Sequence, residues 1–487
     1  MLKFIFYEYI FSKKLIINII IFLIYIMRIK DIMTDFSTML NSTFSVNGWL
    51  RTIRKQKNMY FMAINDGSTS KNLQVICDLE SCDDSLPEQL KQLQTGYCLK
   101  VTGLMVESPA KGQAIEMQLA KIEVNGSIDD SYPFAKTRMN LETIRNFQHL
   151  RCRTSAFGCV FRIKSAISHA THDFYRKEGY LHLDPNIITT GECEGGAGVF
   201  QVTEKDISSI NSLRFDKDGN YNWNEDHFNK PTYLTVSSQL NLEALSCGLG
   251  PVYTTNKSFR SEHSSTNKHL SEFTHLEIEN CFIDLDYLMD ISERYIIYVA
   301  KYLLEHNHDD LFELNRFVSK GILARVEEIS KMKFKRITHR DAITLLKKNK
   351  FKCDYDDDLS SEMENWLTKY YKCPVFVTHW PLKIKSFYMR QCDDGTCESF
   401  DLLMPNKVGE MIGGSMREER YDKLLKIMEN KGLDLETYKF YTDLRKYGTA
   451  VHGGFGLGLD RMCMLFTGLE NIRDVVPFPN SYKTCNY

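Results

Sequence analysis

Two arginines, each beside an unusual local sequence, are the strongest candidates for chemistry in this chain. Arg461 follows the glycine-rich run 453–458 and opens an apolar stretch with helical spacing. Glycines let a ligand approach a strand backbone closely, and a helix start delivers the arginine to it. Arg260 precedes a polar loop that runs to His269. Guanidinium donors match phosphate oxygens, so the sequence around Arg461 suits a polyphosphate; a tight strand-to-helix junction with a solvated Arg461 is the alternative.

Two strands joined by a long charged loop must hold Arg260. The segment Glu272–Glu277 resumes a strand pattern directly after that loop. This hairpin and the junction at Gly458 and Arg461 resemble motifs 2 and 3 of the class II aminoacyl-tRNA synthetases. The form is closest to the asparaginyl-tRNA synthetases, and the resemblance runs from about residue 44 to the C-terminus.

The resemblance implies nucleotide contacts for the groups around these arginines. Arg260 would bridge the substrate carboxylate and the α-phosphate of ATP, and Arg461, approached across Gly458, would hold the terminal phosphate end. Glu262 would accept a hydrogen bond from adenine, His269 would contact the outer phosphates, and Phe273 would stack on the adenine ring. Lys268 stands where arginine is common in the family.

Two carboxylates on neighbouring segments, Asp401 and Glu410, are candidate ligands for Mg²⁺. Mg²⁺ is commonly held by one or two carboxylates together with the phosphates of ATP. Surface carboxylates on a hairpin are the alternative.

A second set of residues is implied to bind the amino acid. Glu194, in the glycine-rich loop 192–197, and Glu277 would meet its ammonium group. Ser237 and Gln239 belong to a further stretch, Thr235–Ala244, which carries the main evidence about the substrate.

The side-chain preference is predicted from the same stretch. Aspartate-specific relatives have a lysine where Leu242 stands, and Glu243 follows it here. A carboxamide nitrogen carries two hydrogens that need acceptors, so Leu242 and Glu243 favour asparagine, with Arg417 donating to the amide oxygen. A solvated Glu243 and a surface ion pair of Arg417 are the alternatives.

Short alternating strands occupy residues 44–125 and predict a five-stranded OB-fold barrel, a common binder of single-stranded nucleic acid. Four basic residues form a local positive patch between the first two strands: Arg51, Arg54, Lys55 and Lys57. The resemblance implies that Phe61 stacks on an anticodon base, while Gln74 and Glu116 hydrogen-bond the central uridine. Alternatively, Phe61 lies in the barrel core and the other two face solvent.

The remaining segments complete an α+β chain: an N-terminal OB-fold barrel plus a class II synthetase catalytic domain, an antiparallel sheet flanked by helices. Residues 126–150 are a predicted linker, and 151–487 form the catalytic domain, with strands expected over 374–377 and 383–389. The helix Phe157–Glu178 and the strand with Pro185 resemble motif 1, which implies a homodimer. A buried helix with an edge strand is the alternative.

Composition is that of an ordinary multidomain protein. The 487 residues exceed one ordinary core, and the net charge of -2 excludes global attraction to nucleic acid, leaving local patches. The 14 cysteines are scattered without zinc spacing, which favours reduced thiols, a cytoplasmic location and no structural metal site.

Residues 1–33 form an isoleucine-rich extension with an apolar run over 15–27. Three interpretations stay open: translated sequence upstream of a true start at Met33, an organellar targeting segment, and a membrane anchor. The run is short for a membrane span, so no stable membrane association is expected.

The implied reaction is ligation of L-asparagine to tRNA-Asn through an asparaginyl-adenylate, with ATP converted to AMP and pyrophosphate. Three rivals are an aspartyl-tRNA synthetase, including a non-discriminating one, a non-catalytic RNA-binding paralogue, and a tRNA-independent asparagine-forming synthetase. The family has arginine where Asn480 stands, which leaves the role of that position open.

Overall fold

The chain folds as two compact units, one up to Cys159 and one from Val160 onwards. A computed structural model describes residues 27–110, 113–134, 139–191, 198–209 and 213–487. The predicted glycine-rich loop with Glu194, and the apolar run 15–27 except for Met27, lie outside the described residues.

The first unit is built on a closed five-stranded barrel, in the order β1-β2-β3-β5-β4. Alternating side chains point inwards, as in β2, where Tyr60, Met62 and Ile64 are buried. The predicted OB-fold barrel is confirmed. Its strands are β1 (Thr43–Gln56), β2 (Met59–Asn65), β3 (Leu73–Asp78), β4 (Cys98–Glu107) and β5 (Ile115–Gly126).

Four short helices accompany the barrel: α1 (Ile29–Thr34), α2 (Phe36–Met39), α3 (Leu86–Gln92) and α4 (Leu141–Arg145). Ile29 and Ile32 of α1 are fully buried in the barrel core. The backbone N–H of Ile29 also donates to Asp66 at 2.8 Å. A chain beginning at Met33 would lack both core side chains.

An eight-stranded sheet organises the second unit, in the order β11-β12-β13-β14-β15-β10-β9-β6. Its centre is antiparallel as predicted, but the outer pairs β11–β12 and β6–β9 are parallel. These strands are β6 (Leu181–His182), β9 (Val252–Phe259), β10 (Glu272–Cys281), β11 (Lys335–Thr338), β12 (Val375–Thr378), β13 (Ser399–Met404), β14 (Gly409–Met416) and β15 (His452–Gly458). A separate pair comprises β7 (Ile188–Thr189) and β8 (Tyr233–Leu234).

Helices flank this sheet, beginning with α5 (Ser155–Lys177), most of which lies in the second unit. The others are α6 (Gln239–Leu249), α7 (Leu285–His306), α8 (His308–Phe317), α9 (Ile322–Ile329), α10 (His339–Lys348), α11 (Ser361–Tyr371), α12 (Tyr421–Asn430), α13 (Lys439–Lys446) and α14 (Leu459–Thr467). Among the helices that the structure describes, none has both the length and the apolar content needed to cross a bilayer.

The strand predicted over 383–389 is wrong. Leu382–Ile384 forms a single 3₁₀ turn, and Phe387 and Tyr388 are buried in a cluster that includes Leu424 and Tyr441. Tertiary packing of the two aromatic rings therefore overrides the local strand propensity.

Candidate active site

The order of three strands brings the two arginines together. Strand β10 pairs on one side with β9, which ends just before Arg260, and on the other side with β15, which leads into Arg461 on α14. Both arginines line one pocket of about 290 Å³. The pocket also contains five other predicted nucleotide-site residues: Glu262, His269, Phe273, Glu410 and Gly458.

Arg260 lies over the ring of Phe273, with its guanidinium carbon 5.5 Å from the ring centroid. His269 is held by the loop itself, since its Nδ1 lies 3.0 Å from the hydroxyl of Ser264. Burial lowers the pKa of His269, and the Arg461 charge adds to that effect. The imidazole is therefore biased towards its neutral form at neutral pH.

Asp460, which sequence reasoning missed, fixes the start of α14. Its carboxylate is buried, accepts from the backbone N–H of Thr274 at 3.0 Å and is paired with Lys164 on α5. Lys164 donates in turn to the carbonyl of Val475 at 2.9 Å. This network holds the helix start against β10, so Arg461 leaves α14 from a fixed position and donates to the carbonyl of Glu410 at 2.7 Å.

One face of β10 carries a row of functional side chains. Side chains alternate along a strand, so Phe273, His275, Glu277 and Glu279 all point to the same face. Glu277 is buried and accepts from the backbone N–H of Ser238 at 2.9 Å, and the hydroxyl of Ser237 also donates to it. The predicted residues Ser237 and Glu277 are thus brought together beside the pocket.

Glu243 lies in a fully buried network rather than on the pocket wall. Its carboxylate accepts from Arg445 at 2.7 Å, from Gln239 at 2.9 Å and from Tyr441 at 3.2 Å, and lies 3.0 Å from Nε2 of His452. Burial alone would raise the pKa of Glu243, but the Arg445 charge and the His452 hydrogen bond hold it well below its usual range. The Glu243 carboxylate thus has several protein partners, and its direct contact with a substrate amide stays a prediction.

Arg417 links this network to β10. Its guanidinium is 3 % exposed and pairs with Glu279, donates to the hydroxyl of Ser415 at 2.7 Å and lies 3.7 Å from the Glu243 carboxylate. Burial raises the pKa of Glu279 to about 7, against the opposing effect of Arg417. Glu279 was missed in the sequence, although its spacing of two from Glu277 is the signal that would have found it.

The two predicted metal ligands lie on the neighbouring strands β13 and β14, and both carboxylates approach Gly413. Oε1 of Glu410 and Oδ1 of Asp401 lie 3.3 and 3.6 Å from the position that a Cβ on Gly413 would occupy. The other oxygen of Asp401 accepts from Lys385 at 2.7 Å. Burial, together with the nearby Glu410 charge, raises the pKa of Asp401 to about 7, despite Lys385.

This donor set fits Mg²⁺. Hard oxygen ligands, one of them fixed by a lysine, leave positions open for the phosphates that usually complete a Mg²⁺ site. Among the residues that the structure describes, no three His, Cys, Asp or Glu side chains cluster as a complete metal site. Asp401 and Glu410 would therefore act as partial ligands that need a phosphate-bearing substrate.

The predicted anticodon residues lie on the outside of the barrel. Phe61 is partly exposed, beneath the guanidinium of Arg54 at 5.1 Å from the ring centroid. Gln74 lies on the same outer face and donates to the carbonyl of Met62 at 3.2 Å. Glu116 lies between two core residues of β5, is itself buried with 8 % exposure, and accepts from Ser108 at 2.8 Å. The face thus combines an aromatic ring, a cation and polar groups.

Comparison with known proteins agrees with this geometry. Residues 140–482 match the model of the tRNA synthetases class II (D, K and N), and residues 44–125 match an OB-fold nucleic acid binding domain. The chain is 40% identical over 471 residues to an asparagine–tRNA ligase of Bacteroides fragilis, covering 94% of this chain and 98% of the relative. A ligase of the same name from Desulfotalea psychrophila is 42% identical over 444 residues, covering 90% and 95%.

A solved structure shows the same fold. The asparaginyl-tRNA synthetase of Pyrococcus horikoshii, complexed with asparaginyl-adenylate, superposes with a TM-score of 0.81 at 28% identity, covering 94% of this chain and 98% of that one. With both domain models matched and the motif arginines in one pocket, the chain belongs to the class II tRNA synthetases of the D, K and N group.

Proposed function

We propose that this chain ligates L-asparagine to tRNA-Asn in two steps, through an asparaginyl-adenylate, with release of AMP and pyrophosphate. The observation that carries the proposal is the row of side chains on β10, which leads from the pocket of Arg260 and Arg461 to the buried Arg417. From Phe273 to Glu279 the row spans about 20 Å, at about 3.3 Å per residue. The names of the relatives and of the Pyrococcus complex support asparagine as the amino acid.

In the first step the asparagine carboxylate attacks the α-phosphorus of ATP, a new P–O bond forms, and the bond to the β-phosphate oxygen breaks. Arg260 would hold the carboxylate and the α-phosphate in line and offset the charge that develops on phosphorus. Arg461 would bind the terminal phosphates, and Phe273 would stack on adenine. Mg²⁺ held by Asp401 and Glu410 would neutralise phosphate charge, and titrating exchange activity with Mg²⁺ checks this need.

The amino acid would lie along β10. Glu277 would meet its ammonium group, while Arg417 would donate to the amide oxygen and Glu279 would accept from the amide nitrogen. Glu243 would act indirectly, by holding Arg417 and Arg445. Leu242 is fully buried and stands where aspartate-specific relatives have a lysine, so this position provides no second cation for an aspartate side chain.

Replacing Arg417 with lysine tests this assignment of the amide site. Lysine keeps the charge between Glu243 and Glu279 but loses the forked donors, so we expect asparagine-dependent ATP–pyrophosphate exchange to fall by about 10- to 100-fold in kcat/KM. The KM for ATP should change little. The matched control is Arg420→Lys, because Arg420 pairs with Glu418 outside the pocket. Equal losses in the two variants would contradict the assignment.

In the second step a 3′-terminal ribose hydroxyl of tRNA attacks the adenylate, and AMP leaves. The barrel face with Phe61, Arg54 and Gln74 would read the anticodon by stacking and hydrogen bonding. Charging of a tRNA-Asn transcript with labelled asparagine tests the whole function. A transcript with the central anticodon uridine replaced should be charged much more slowly; equal charging of both would exclude anticodon reading by this face.

We infer a homodimer from apolar residues at one end of the sheet. Leu181, Leu249, Phe282 and Val451 are 48%, 50%, 87% and 39% exposed. Two backbone hydrogen bonds join segments there: the N–H of Leu181 donates to Pro251, two residues after Leu249, and that of Phe282 donates to Val451 at 2.7 Å. Large exposed apolar side chains of this kind are typical of a subunit interface. Motif 1, α5 with β6, lies at the same edge of the sheet.

Sedimentation velocity of the full chain and of Phe282→Glu checks the dimer. The wild-type protein should sediment as a dimer at micromolar concentration, and the charge should shift the variant towards monomer because a carboxylate is costly to bury. Lys369→Glu, on the exposed face of α11, is the control. A monomeric wild-type protein would refute the inference.

We propose a reducing compartment, with the cytoplasm favoured. All cysteines that the structure describes are free thiols. Mass spectrometry of the native N-terminus would show whether residues 1–33 are retained, and a processed N-terminus on organellar protein would contradict a cytoplasmic location.

A further inference from the structure

The loop between β9 and β10 carries a cation that no step above uses. Lys268 lines the pocket with His269, Glu410 and Arg461, and its side chain is half-buried. Burial lowers the pKa of Lys268, and the Arg461 charge adds to the effect. Two cations at one end of the pocket repel each other, so a nearby negative charge would stabilise the loop in this position.

The Glu364 carboxyl group, on α11, provides that negative charge when it is ionised. Burial and the Glu410 charge raise the pKa of Glu364 to about 7, and the Lys268 charge opposes this shift. Both side chains approach Gly409. The Oε2 of Glu364 lies 2.5 Å from the position that a Cβ on Gly409 would occupy, and the Nζ of Lys268 lies 3.2 Å from it. Gly409 has a φ of +75°, so glycine satisfies both the backbone conformation and the close approach of the two side chains. The backbone of Glu410 lies close enough to the Glu364 carboxyl group to favour its ionised form. The Glu364 carboxylate therefore lies between the loop that carries Lys268 and strand β14, which carries Glu410.

We propose that Glu364 is a positioning residue for ATP: it holds the Lys268 ammonium group at the phosphate end of the pocket, and through it the loop of residues 260–271. The inference rests on the proposed function. A lysine side chain has large rotamer freedom, and fixing it before ATP arrives reduces the entropy lost on binding. The negative charge of Glu364 also offsets the repulsion between Lys268 and Arg461 before ATP binds.

A glutamine at position 364 separates this role from simple packing. Glutamine keeps the shape of glutamate and an acceptor oxygen at the end of the side chain, so Glu364→Gln removes mainly the charge. The matched control is Glu362→Gln on the same helix, where the side chain is exposed.

The experiment measures ATP affinity by calorimetry with a non-hydrolysable ATP analogue, and the KM values for ATP and asparagine by pyrophosphate exchange, on full-length protein. We expect Glu364→Gln and Lys268→Met each to weaken ATP binding about tenfold, with kcat and the KM for asparagine within about twofold of wild type. The double variant should be no weaker than either single variant, and Lys268→Arg should retain most of the affinity.

Effects of the two single variants that multiply in the double variant would overturn the proposal, as would unchanged ATP affinity in Glu364→Gln. Failure of the proposed function has a different signature. In that case the wild-type protein supports no exchange with any amino acid, while the calorimetric comparison still decides whether Glu364 and Lys268 act as a pair.

Discussion

Replacing Arg260 with alanine is expected to lower asparagine-dependent ATP–pyrophosphate exchange by about 10²- to 10³-fold in kcat/KM. The guanidinium stands where the carboxylate and the α-phosphate must meet, in a pocket that also holds Arg461 and Phe273. Removing it loses both the alignment of two anions and the compensation of charge that grows at phosphorus. Initial-rate exchange assays with varied ATP and asparagine measure the effect.

Arg316→Ala is the matched control for this variant. Arg316 makes an exposed ion pair with Glu313 on α8, and neither residue lines the pocket. It should leave exchange unchanged. The melting temperature of Arg260→Ala should stay close to that of the wild-type protein. Exchange that falls less than about fivefold in Arg260→Ala would contradict the role assigned to this arginine.

Replacing Glu243 with alanine is expected to destabilise the second unit by about 3 to 5 kcal/mol, since one partner of a buried ionic network is removed. Arg445 and His452 would lose their shared carboxylate, and Arg417 would keep Glu279 as its carboxylate partner. Urea unfolding monitored by circular dichroism measures the loss. The variant should also bind asparagine weakly, because Arg417 loses one of the charges that orient it.

Glu313→Ala provides the comparison for Glu243→Ala. It removes a carboxylate from an exposed ion pair with Arg316, and such pairs contribute about 0 to 1 kcal/mol. Near-equal unfolding midpoints for the two variants would contradict the description of Glu243 as a buried structural charge. Retained stability with lost asparagine binding would instead restore the direct contact that the sequence predicted.

Local sequence patterns were sufficient to predict the barrel and the hairpin that carries Arg260. In both, inward and outward side chains alternate with a period of two, and turn residues separate the strands. Most residues of the nucleotide pocket could also be named, because they stand at fixed places in motif 2 or motif 3. Glu410 lies on β14 outside both motifs, and Asp460, which also lines the pocket, was missed. Pairing of β10 with β15, which brings the two motifs together, joins segments almost two hundred residues apart and has no local signal.

Other features depend on tertiary packing. The position of Glu243 on α6 was predictable, but which side chains surround it was not, because Arg445 and His452 come from distant segments. The pair of Lys164 with Asp460 joins α5 to α14 in the same way. For the segment 383–389, strand-forming residues were present, yet packing of Phe387 and Tyr388 against α12 and α13 determines an irregular path.

The most direct test of the central claim is ATP–pyrophosphate exchange by the full-length protein with asparagine and with aspartate, each as the sole amino acid and without tRNA. Two arginines on one nucleotide, beside an amide site formed by Arg417 and Glu279, predict rapid exchange with asparagine and exchange at least about 10²-fold slower with aspartate. Exchange with aspartate alone, or with neither amino acid, would contradict the claim.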